Sequence, residues 1–177
     1  MLELLRTKGH SEYGSEAVTQ LEHALQAAEL AVGAGADAPL ITAALLHDVG
    51  HMLHDLPEDA PDQGIDDRHE ELGAHWLEQR FGADVVEPVR LHVPAKRYLC
   101  ATDPSYHAAL SEPSRLSLEL QGGAMDAEEV RAFEQHPQHD RAVQLRRWDD
   151  EAKVPAKPTP PLEAFRESIA AALAGES

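Results

Sequence analysis

The stretch AALLHDVGH, residues 43–51, places polar side chains inside an otherwise apolar helical segment. His47 and Asp48 are adjacent, and His51 follows one turn later. Burying such groups is costly unless they are hydrogen-bonded, paired or bound to a metal ion. A lone residue of either kind would be interpreted as a core histidine or a surface aspartate. An adjacent pair among Ala and Leu residues indicates metal chemistry instead.

Further imidazoles and carboxylates on separate segments complete an inventory suited to two metal ions. Imidazole together with carboxylate suits iron and other first-row metals, and Asp48 has two oxygens with which it can bridge two ions. The chain has 11 histidines, so the spacing alone is only moderately specific. The candidate ligands are His23, His47, Asp48, His69, His92 and Asp149, whereas His10, His54, His75, His107, His136 and His139 are predicted to be surface groups.

Apolar spacing, capping residues and proline breaks predict the elements that must position these candidates. The Pro- and Asp-rich stretch from His54 to Glu70 is expected to be a mobile, solvent-facing loop that ends near His69, where a helix begins. The other expected elements are a helix capped by Ser15 and extending to Gly33, a helix from Pro39 to Leu53, a short helix over 84–93 interrupted by Pro88, a turn over 94–106, and helices at Ser114–Leu120, Ala127–Gln135, His139–Lys153 and Leu162–Leu173.

Length and composition favour one compact, all-α domain over residues 1–177. Of the 177 residues, 42% are hydrophobic, and recurrent Ala and Leu favour helices over strands. Fifteen basic against 32 acidic residues give a net charge of -17, which argues against a nucleic-acid partner held by phosphate contacts. An anionic substrate would therefore need a local basic pocket. The composition leaves the cause of the acidity open.

The cysteine count and the apolar runs limit the setting of the protein. The single Cys100 excludes an internal disulfide and a thiolate metal cluster. The sequence shows neither a cationic, apolar leader nor an apolar run of bilayer length. We therefore expect a cytoplasmic protein with a small-molecule substrate and no membrane partner. The oligomeric state is not readable from the sequence.

The ordered set H…HD…H…H…D resembles the HD-domain superfamily, whose members are mostly metal-dependent phosphohydrolases on an all-helical fold, a compact helical bundle. The extra histidines and the stretch HVPAKRYL are similar to a narrower group, the mixed-valent di-iron HD-domain oxygenases related to myo-inositol oxygenase. Within this group the chain most resembles the oxygenases that cleave the carbon–phosphorus bond of 2-amino-1-hydroxyethylphosphonate and of its trimethylamino counterpart. The resemblance covers nearly the whole chain, through YGSEAVTQLEHALQAAELA, LLHDVGH, HVPAKRYL, SLELQGGAM and RRWDD.

The resemblance implies two iron ions as an Fe(II)/Fe(III) pair, with O2 as co-substrate. The motif RRWDD offers both Asp149 and Asp150 as ligands. Asp149 is preferred because the relatives place the ligand four residues before a lysine, here Lys153. The implied ligands are His23, His47, Asp48 and Asp149 on one iron, with Asp48 bridging to a second iron that His69 and His92 also hold.

Tyr13 and Glu16, which precede His23 in the sequence, are implied to act at the mouth of the site. In the relatives a tyrosine can occupy an open position of the second iron before the substrate arrives, and Tyr13 stands at that place; the alternative is an aromatic residue packed on the first helix. Glu16 lies one helical turn from Tyr13 and is implied to receive the cationic amine of the substrate. It would also be a carboxylate favourable to the helix dipole.

The phosphonate dianion needs hydrogen-bond donors inside this acidic protein. Lys96, four residues after His92, is the leading candidate on the strength of HVPAKRYL, with His51 and Ser114 as further contacts. The alternative for Lys96 is an exposed cation. Ser117 and Gln121 are weaker candidates, which would reach a phosphonate oxygen or serve helix packing.

The resemblance implies an oxidative reaction in phosphonate catabolism that releases phosphate. A primary amine in the substrate would yield glycine and a trimethylated amine a betaine, and the sequence does not decide between them. The alternative enzyme is an HD-domain phosphohydrolase, in which metals activate water against a phosphate ester. A non-enzymatic HD-like binding module is disfavoured because every expected ligand is present.

Overall fold

The computed structural model describes residues 1–13, 16–54 and 67–174, and over these residues the regular structure is helical, with no strand. This confirms the predicted all-α class. The α-helices are α1 (Leu2–Lys8), α2 (Gln20–Gly33), α3 (Ala38–Leu46), α4 (His69–Leu77), α5 (Ala83–Thr102), α6 (Pro104–Ala109), α7 (Glu112–Leu120), α8 (Ala127–Glu134), α9 (His139–Glu151) and α10 (Arg166–Ala174), with 3₁₀ turns at Val49–Met52 and Leu162–Phe165.

Helix α2 begins later than the sequence predicted. Its N-cap is Thr19, whose hydroxyl accepts the backbone N–H of Glu22 while the Glu22 carboxylate accepts the backbone N–H of Thr19. This reciprocal capping box fixes the start of the helix at Gln20. The predicted cap, Ser15, lies outside the described residues. Helix α1, which precedes this segment, was not predicted.

The helix that carries AALLHDVGH ends earlier than predicted. Asp37 caps α3, its side chain accepting the backbone N–H of Leu40, but the α-helix stops at Leu46 and not at Leu53. His47 and Asp48 therefore lie at the junction between α3 and the 3₁₀ turn Val49–Met52. The backbone changes direction at the residues that the sequence singles out for chemistry.

Helix α5 runs unbroken for 20 residues although it contains Pro88 and Pro94. The predicted interruption at Pro88 and the predicted turn over 94–106 are therefore wrong. Each proline removes one backbone hydrogen bond, but α5 packs against α3, α4 and α9, and burial of its apolar face offsets that loss. His92 and Lys96 consequently project from successive turns of a single helix.

The remaining helices follow the predicted order with shifted ends. Helices α7 and α8 lie within two residues of the predictions, α9 ends at Glu151, and the last predicted helix is divided into the 3₁₀ turn Leu162–Phe165 and α10. Helix α6 was missed. Helix α10 packs on α3, and α2 contacts both α3 and α9. None of the described helices combines the length and the apolar character needed to cross a membrane.

Gly50 allows the 3₁₀ turn to lie directly against the start of α4. A β-carbon built on Gly50 would lie 2.0 Å from the carbonyl oxygen of His69 and 2.9 Å from its Cα. Both neighbouring atoms belong to the backbone, so a side chain here requires α4 to move. The glycine of HDVGH therefore sets the distance between the two segments that carry Asp48 and His69.

We expect Gly50→Ala to destabilise the protein by about 1–3 kcal/mol because it overpacks two backbone segments. Urea unfolding monitored by circular dichroism measures the free energy of unfolding. Gly33→Ala is the matched control, since a β-carbon on Gly33 meets no atom within 4 Å. Equal stability of the two variants would contradict the close approach.

Candidate metal centre and substrate pocket

Imidazoles from four segments share one hydrogen-bonding arrangement. Each ring directs Nδ1 outward to an oxygen acceptor, so Nδ1 carries the hydrogen and, in the neutral ring, Nε2 presents a lone pair to the interior. The rings are deeply buried. The Nδ1–oxygen distances are 2.9 Å from His23 to the Ala152 carbonyl, 2.9 Å from His47 to the Ala44 carbonyl, 2.6 Å from His92 to the Val89 carbonyl and 2.8 Å from His69 to Asp67 Oδ1.

The inward Nε2 atoms lie in two close pairs. The Nε2 atoms of His23 and His47 are 3.1 Å apart, and those of His69 and His92 are 3.2 Å apart. In neutral rings with Nδ1 protonated, each pair brings two acceptors together without a hydrogen between them. A bound cation at each pair would satisfy both lone pairs.

Asp48 faces both pairs, one with each carboxylate oxygen. Oδ2 lies 3.3 Å from His23 Nε2 and 3.2 Å from His47 Nε2, and Oδ1 lies 3.4 Å from His69 Nε2 and 3.3 Å from His92 Nε2. Neither oxygen has a hydrogen-bond partner among the described residues. A buried carboxylate in this position has the geometry of a ligand shared by two metal ions.

The two aspartates of RRWDD have different surroundings. Asp149 is 1% exposed and lies 3.4 Å from His23 Nε2. Burial opposes its ionisation, but the guanidinium of Arg146, with Nη1 2.7 Å from Asp149 Oδ2, holds the pKa of the Asp149 carboxyl well below its usual range. Asp150 pairs with Arg146 and accepts the hydroxyl of Tyr106 at 2.5 Å. The geometry therefore brings Asp149, and not Asp150, into the cluster.

Tyr13 lies over the half of the cluster that contains His23. The two rings stack with centroids 3.9 Å apart, and the Tyr13 hydroxyl donates to Asp149 Oδ1 at 3.4 Å. The tyrosine is thus nearer to the ligands predicted for the first iron than to the pair formed by His69 and His92.

The predicted helical turn between Tyr13 and Glu16 is wrong, because both precede α2. The two residues are nevertheless close, since the Glu16 N–H donates to the Tyr13 carbonyl at 3.0 Å. Glu16 Oε1 accepts the Ser111 hydroxyl at 2.7 Å and lies 3.6 Å from Lys153 Nζ. The carboxylate therefore already has a cation beside it.

Two lysines and the serines of α7 form a basic pocket next to the cluster. Lys96 is 2% exposed and donates to Ser117 Oγ at 2.8 Å, and Lys153 donates to Ser114 Oγ at 3.0 Å. Burial, with a contribution from Arg146, lowers the pKa of Lys96 to about 7. The alternative of an exposed Lys96 is wrong. Sequence reasoning used Lys153 only to choose between two aspartates and missed its place in the pocket.

Gln121 directly follows α7 at the edge of this region. It makes no hydrogen bond to either lysine in the part of the chain described, and its Oε1 is buried without a partner there. The structure thus brings Ser114 and Ser117 to the lysines but shows no such contact for Gln121.

Asp67 organises the side of the cluster that contains His51 and His69, and sequence reasoning missed it too. Its Oδ2 accepts His51 Nδ1 at 2.6 Å and His54 Nε2 at 3.0 Å, while its Oδ1 accepts His69 Nδ1. His51 stacks on His69, with centroids 3.9 Å apart. The expectation of His54 as a surface group is wrong, since it is half-buried. Asp67 was missed because it ends an Asp-rich stretch predicted as loop, of which residues 55–66 lie outside the described part.

The other histidines predicted to lie at the surface do so to different degrees. His10, His75 and His107 are exposed, whereas His136 and His139 are half-buried. None of the five belongs to a group of potential metal ligands among the described residues.

The family follows from the match of residues 20–151 to the HD domain. This range covers most of the chain and contains the four clustered imidazoles together with Asp48, Asp67 and Asp149, so the protein belongs to the HD-domain family. The chain is 48% identical to the hydroxymethylphosphonate dioxygenase of Gimesia maris over 174 residues, which are 98% of this chain and 86% of the relative.

Two further relatives match over most of their length. The [1-hydroxy-2-(trimethylamino)ethyl]phosphonate dioxygenase (glycine-betaine-forming) of Leisingera caerulea is 46% identical over 86% of this chain and 78% of its own. The uncharacterized protein L432 of Acanthamoeba polyphaga mimivirus is 37% identical over 94% of this chain and 77% of its own. The resemblance to phosphonate-cleaving HD-domain oxygenases is thereby confirmed.

Proposed function

We propose that this protein is a di-iron dioxygenase that cleaves the carbon–phosphorus bond of a 1-hydroxyalkylphosphonate. One O2 and one substrate give one carboxylate and one phosphate, so the substrate supplies all four electrons and no external reductant is needed. The proposal rests on one observation. Each carboxylate oxygen of Asp48 faces one of the two pairs of imidazole Nε2 atoms. The names of the two bacterial relatives supply the reaction class.

The donor set fits two first-row metal ions, and we assign iron. Imidazole nitrogens and carboxylate oxygens, without thiolate, are suitable ligands for non-haem iron. When bound, the iron pair supplies a Lewis acid for the substrate oxygens and a redox partner for O2. His23, His47, Asp48 and Asp149 would hold the first iron, and Asp48, His69 and His92 would hold the second with fewer protein ligands.

The basic pocket beside the cluster is the proposed phosphonate site. Lys96 and Lys153 offer two ammonium groups, and Ser114 and Ser117 already accept hydrogen bonds from them. His51 Nε2 lies 4.0 Å from Asp48 Oδ1, and we assign it as a further donor to a phosphonate bound at the second metal ion. Charge-assisted bonds from these donors would hold a dianion that the acidic surface of the protein would otherwise repel.

Tyr13 and Glu16 are proposed to act at the entrance. The hydroxyl of Tyr13 reaches Asp149, so it is close enough to cover the metal site until substrate enters. Glu16 is the carboxylate available for a substrate amine, although Lys153 now neutralises part of its charge. A cationic substrate would therefore compete with Lys153 for the Glu16 carboxylate, whereas an uncharged one would not.

The function predicts equal amounts of O2 consumed and phosphate released by the Fe(II)-reconstituted protein. Hydroxymethylphosphonate, 1-hydroxy-2-aminoethylphosphonate and its trimethylamino form are the substrates to compare, with an oxygen electrode and a phosphate assay. Faster turnover of the aminated compounds would support the amine contact of Glu16. Phosphate release without O2 uptake, or from a phosphate ester, would instead indicate the HD-domain phosphohydrolase.

The ligand assignment predicts opposite results for two adjacent variants. Asp149→Asn should lose iron from the His23 and His47 site, because a carboxylate oxygen is replaced by a weaker donor. Asp150→Asn should keep wild-type iron content, since Asp150 faces Arg146 and Tyr106. Iron analysis after anaerobic reconstitution gives the number of ions per chain. The reverse pattern would assign Asp150 as the ligand.

The phosphonate site predicts a pH dependence that belongs to Lys96. With a pKa of about 7, its ammonium is present below that pH and is lost as the pH rises through it. Lys96→Met should lower kcat/KM about 10–100-fold below pH 7, as expected for a lost charge-assisted bond.

The ratio of wild-type to Lys96→Met kcat/KM should fall as the pH rises above 7. The substrate titrates identically in both assays, so this ratio isolates the lysine. Lys157→Met is the matched control, because Lys157 does not belong to the cluster. Its ammonium pairs with Glu29, with Nζ 2.9 Å from Oε2. Parallel pH profiles for wild type and Lys96→Met would contradict the assignment.

A further inference from the structure

Asp67 differs from the other outward acceptors of the imidazole cluster. His23, His47 and His92 donate Nδ1–H to backbone carbonyls, whereas His69 donates to a side chain. The carbonyls of Ala44 and Val89 are fixed by the helices that contain them, and that of Ala152 lies at the C-cap of α9. The orientation of His69 therefore depends on a carboxylate that one substitution removes.

The carboxylate of Asp67 holds more than one ring. Oδ1 accepts the ring and backbone N–H groups of His69, at 2.8 and 3.2 Å, and Oδ2 accepts His51 Nδ1 and His54 Nε2, at 2.6 and 3.0 Å. Its side chain is 11% exposed, so water does not replace these bonds at low cost. Oδ1 thus accepts only from His69, and Oδ2 accepts from His51 and His54.

The consequence is the same for His69 and His51. Each ring has Nδ1–H committed to Asp67, which leaves Nε2 for the interior. The Nε2 atom of His69 lies 3.4 Å from Asp48 Oδ1 and that of His51 lies 4.0 Å from the same oxygen. The two rings stack on each other, so a tilt of one displaces the other.

We propose that Asp67 is a positioning residue that aims the ring of His69 at the second metal ion and the ring of His51 at the phosphonate. This inference rests on the roles given to these histidines in the proposed function. Asp67 touches neither metal nor substrate and acts through the two rings. One carboxylate thereby links the affinity of the second metal site to the recognition of the substrate.

Asp67→Asn tests the proposal, because an amide offers one acceptor and one donor where two acceptors are needed. Anaerobic titration with Fe(II) alone, followed by equilibrium dialysis, measures the two binding constants without turnover. We expect the weaker binding step to lose about 10–100-fold in affinity, the range typical of lost outer hydrogen bonds to metal ligands. The other step should stay at its wild-type value, since His23, His47 and Asp149 do not contact Asp67.

Steady-state kinetics at saturating Fe(II) provide a second readout. The KM for hydroxymethylphosphonate should rise more than kcat falls, because His51 loses its orientation while the metals remain in place. Asp37→Asn is the matched control: it removes another aspartate that accepts several hydrogen bonds, and it leaves the cluster intact.

Unchanged Fe(II) constants in a folded Asp67→Asn protein would overturn the inference while leaving the proposed function intact. Equal weakening of both binding steps would overturn it too, since that indicates a general structural role. If Asp67→Asn fails to fold, Asp67→Glu keeps two acceptor oxygens one methylene further out and should weaken only the second step. A wild-type protein that binds fewer than two Fe(II) ions would overturn the inference together with the proposed function.

Discussion

The arrangement of this protein depends on where the imidazoles place their Nδ1 hydrogens. Each buried ring donates Nδ1–H outward, so in a neutral ring the inward nitrogen keeps its lone pair, and the inward nitrogens face one another at 3.1 and 3.2 Å. Helix ends supply acceptors for this purpose: the Ala152 carbonyl that receives His23 follows directly on α9, where main-chain acceptors lack helical partners. Folding therefore prepares the site before a cation binds.

The centre brings several cations together in a chain that is acidic overall. The whole chain has a net charge of -17, yet Lys96, Lys153 and Arg146 lie close together beside the cluster. These cations are held close together by carboxylates, since Arg146 pairs with Asp149 and Asp150, and Lys153 lies near Glu16. An anion that enters would exchange some of these internal contacts for its own, so recognition is a rearrangement within an existing network.

The sequence predicted the cluster better than the backbone that forms it. The spacing of His23, the HD pair and His69 was only moderately specific by itself, and the resemblance to the HD-domain oxygenases selected these residues among 11 histidines. The break expected at Pro88 was wrong because tertiary packing of α5 outweighs two missing hydrogen bonds. Asp67 could not be found, because its partners are set by how α4 meets the 3₁₀ turn and local patterns carry no such information.

The two halves of the centre are not mechanically independent. Asp48 contributes one oxygen to each half, and it sits at the junction of α3 with the turn Val49–Met52. Gly50, two residues later, holds that turn against the backbone of His69. A shift of α4 would therefore change the distance from Asp48 to His69 while leaving His23 and His47 in place. The short stretch HDVG supplies the carboxylate that faces both imidazole pairs and also the glycine that allows its turn to lie against α4.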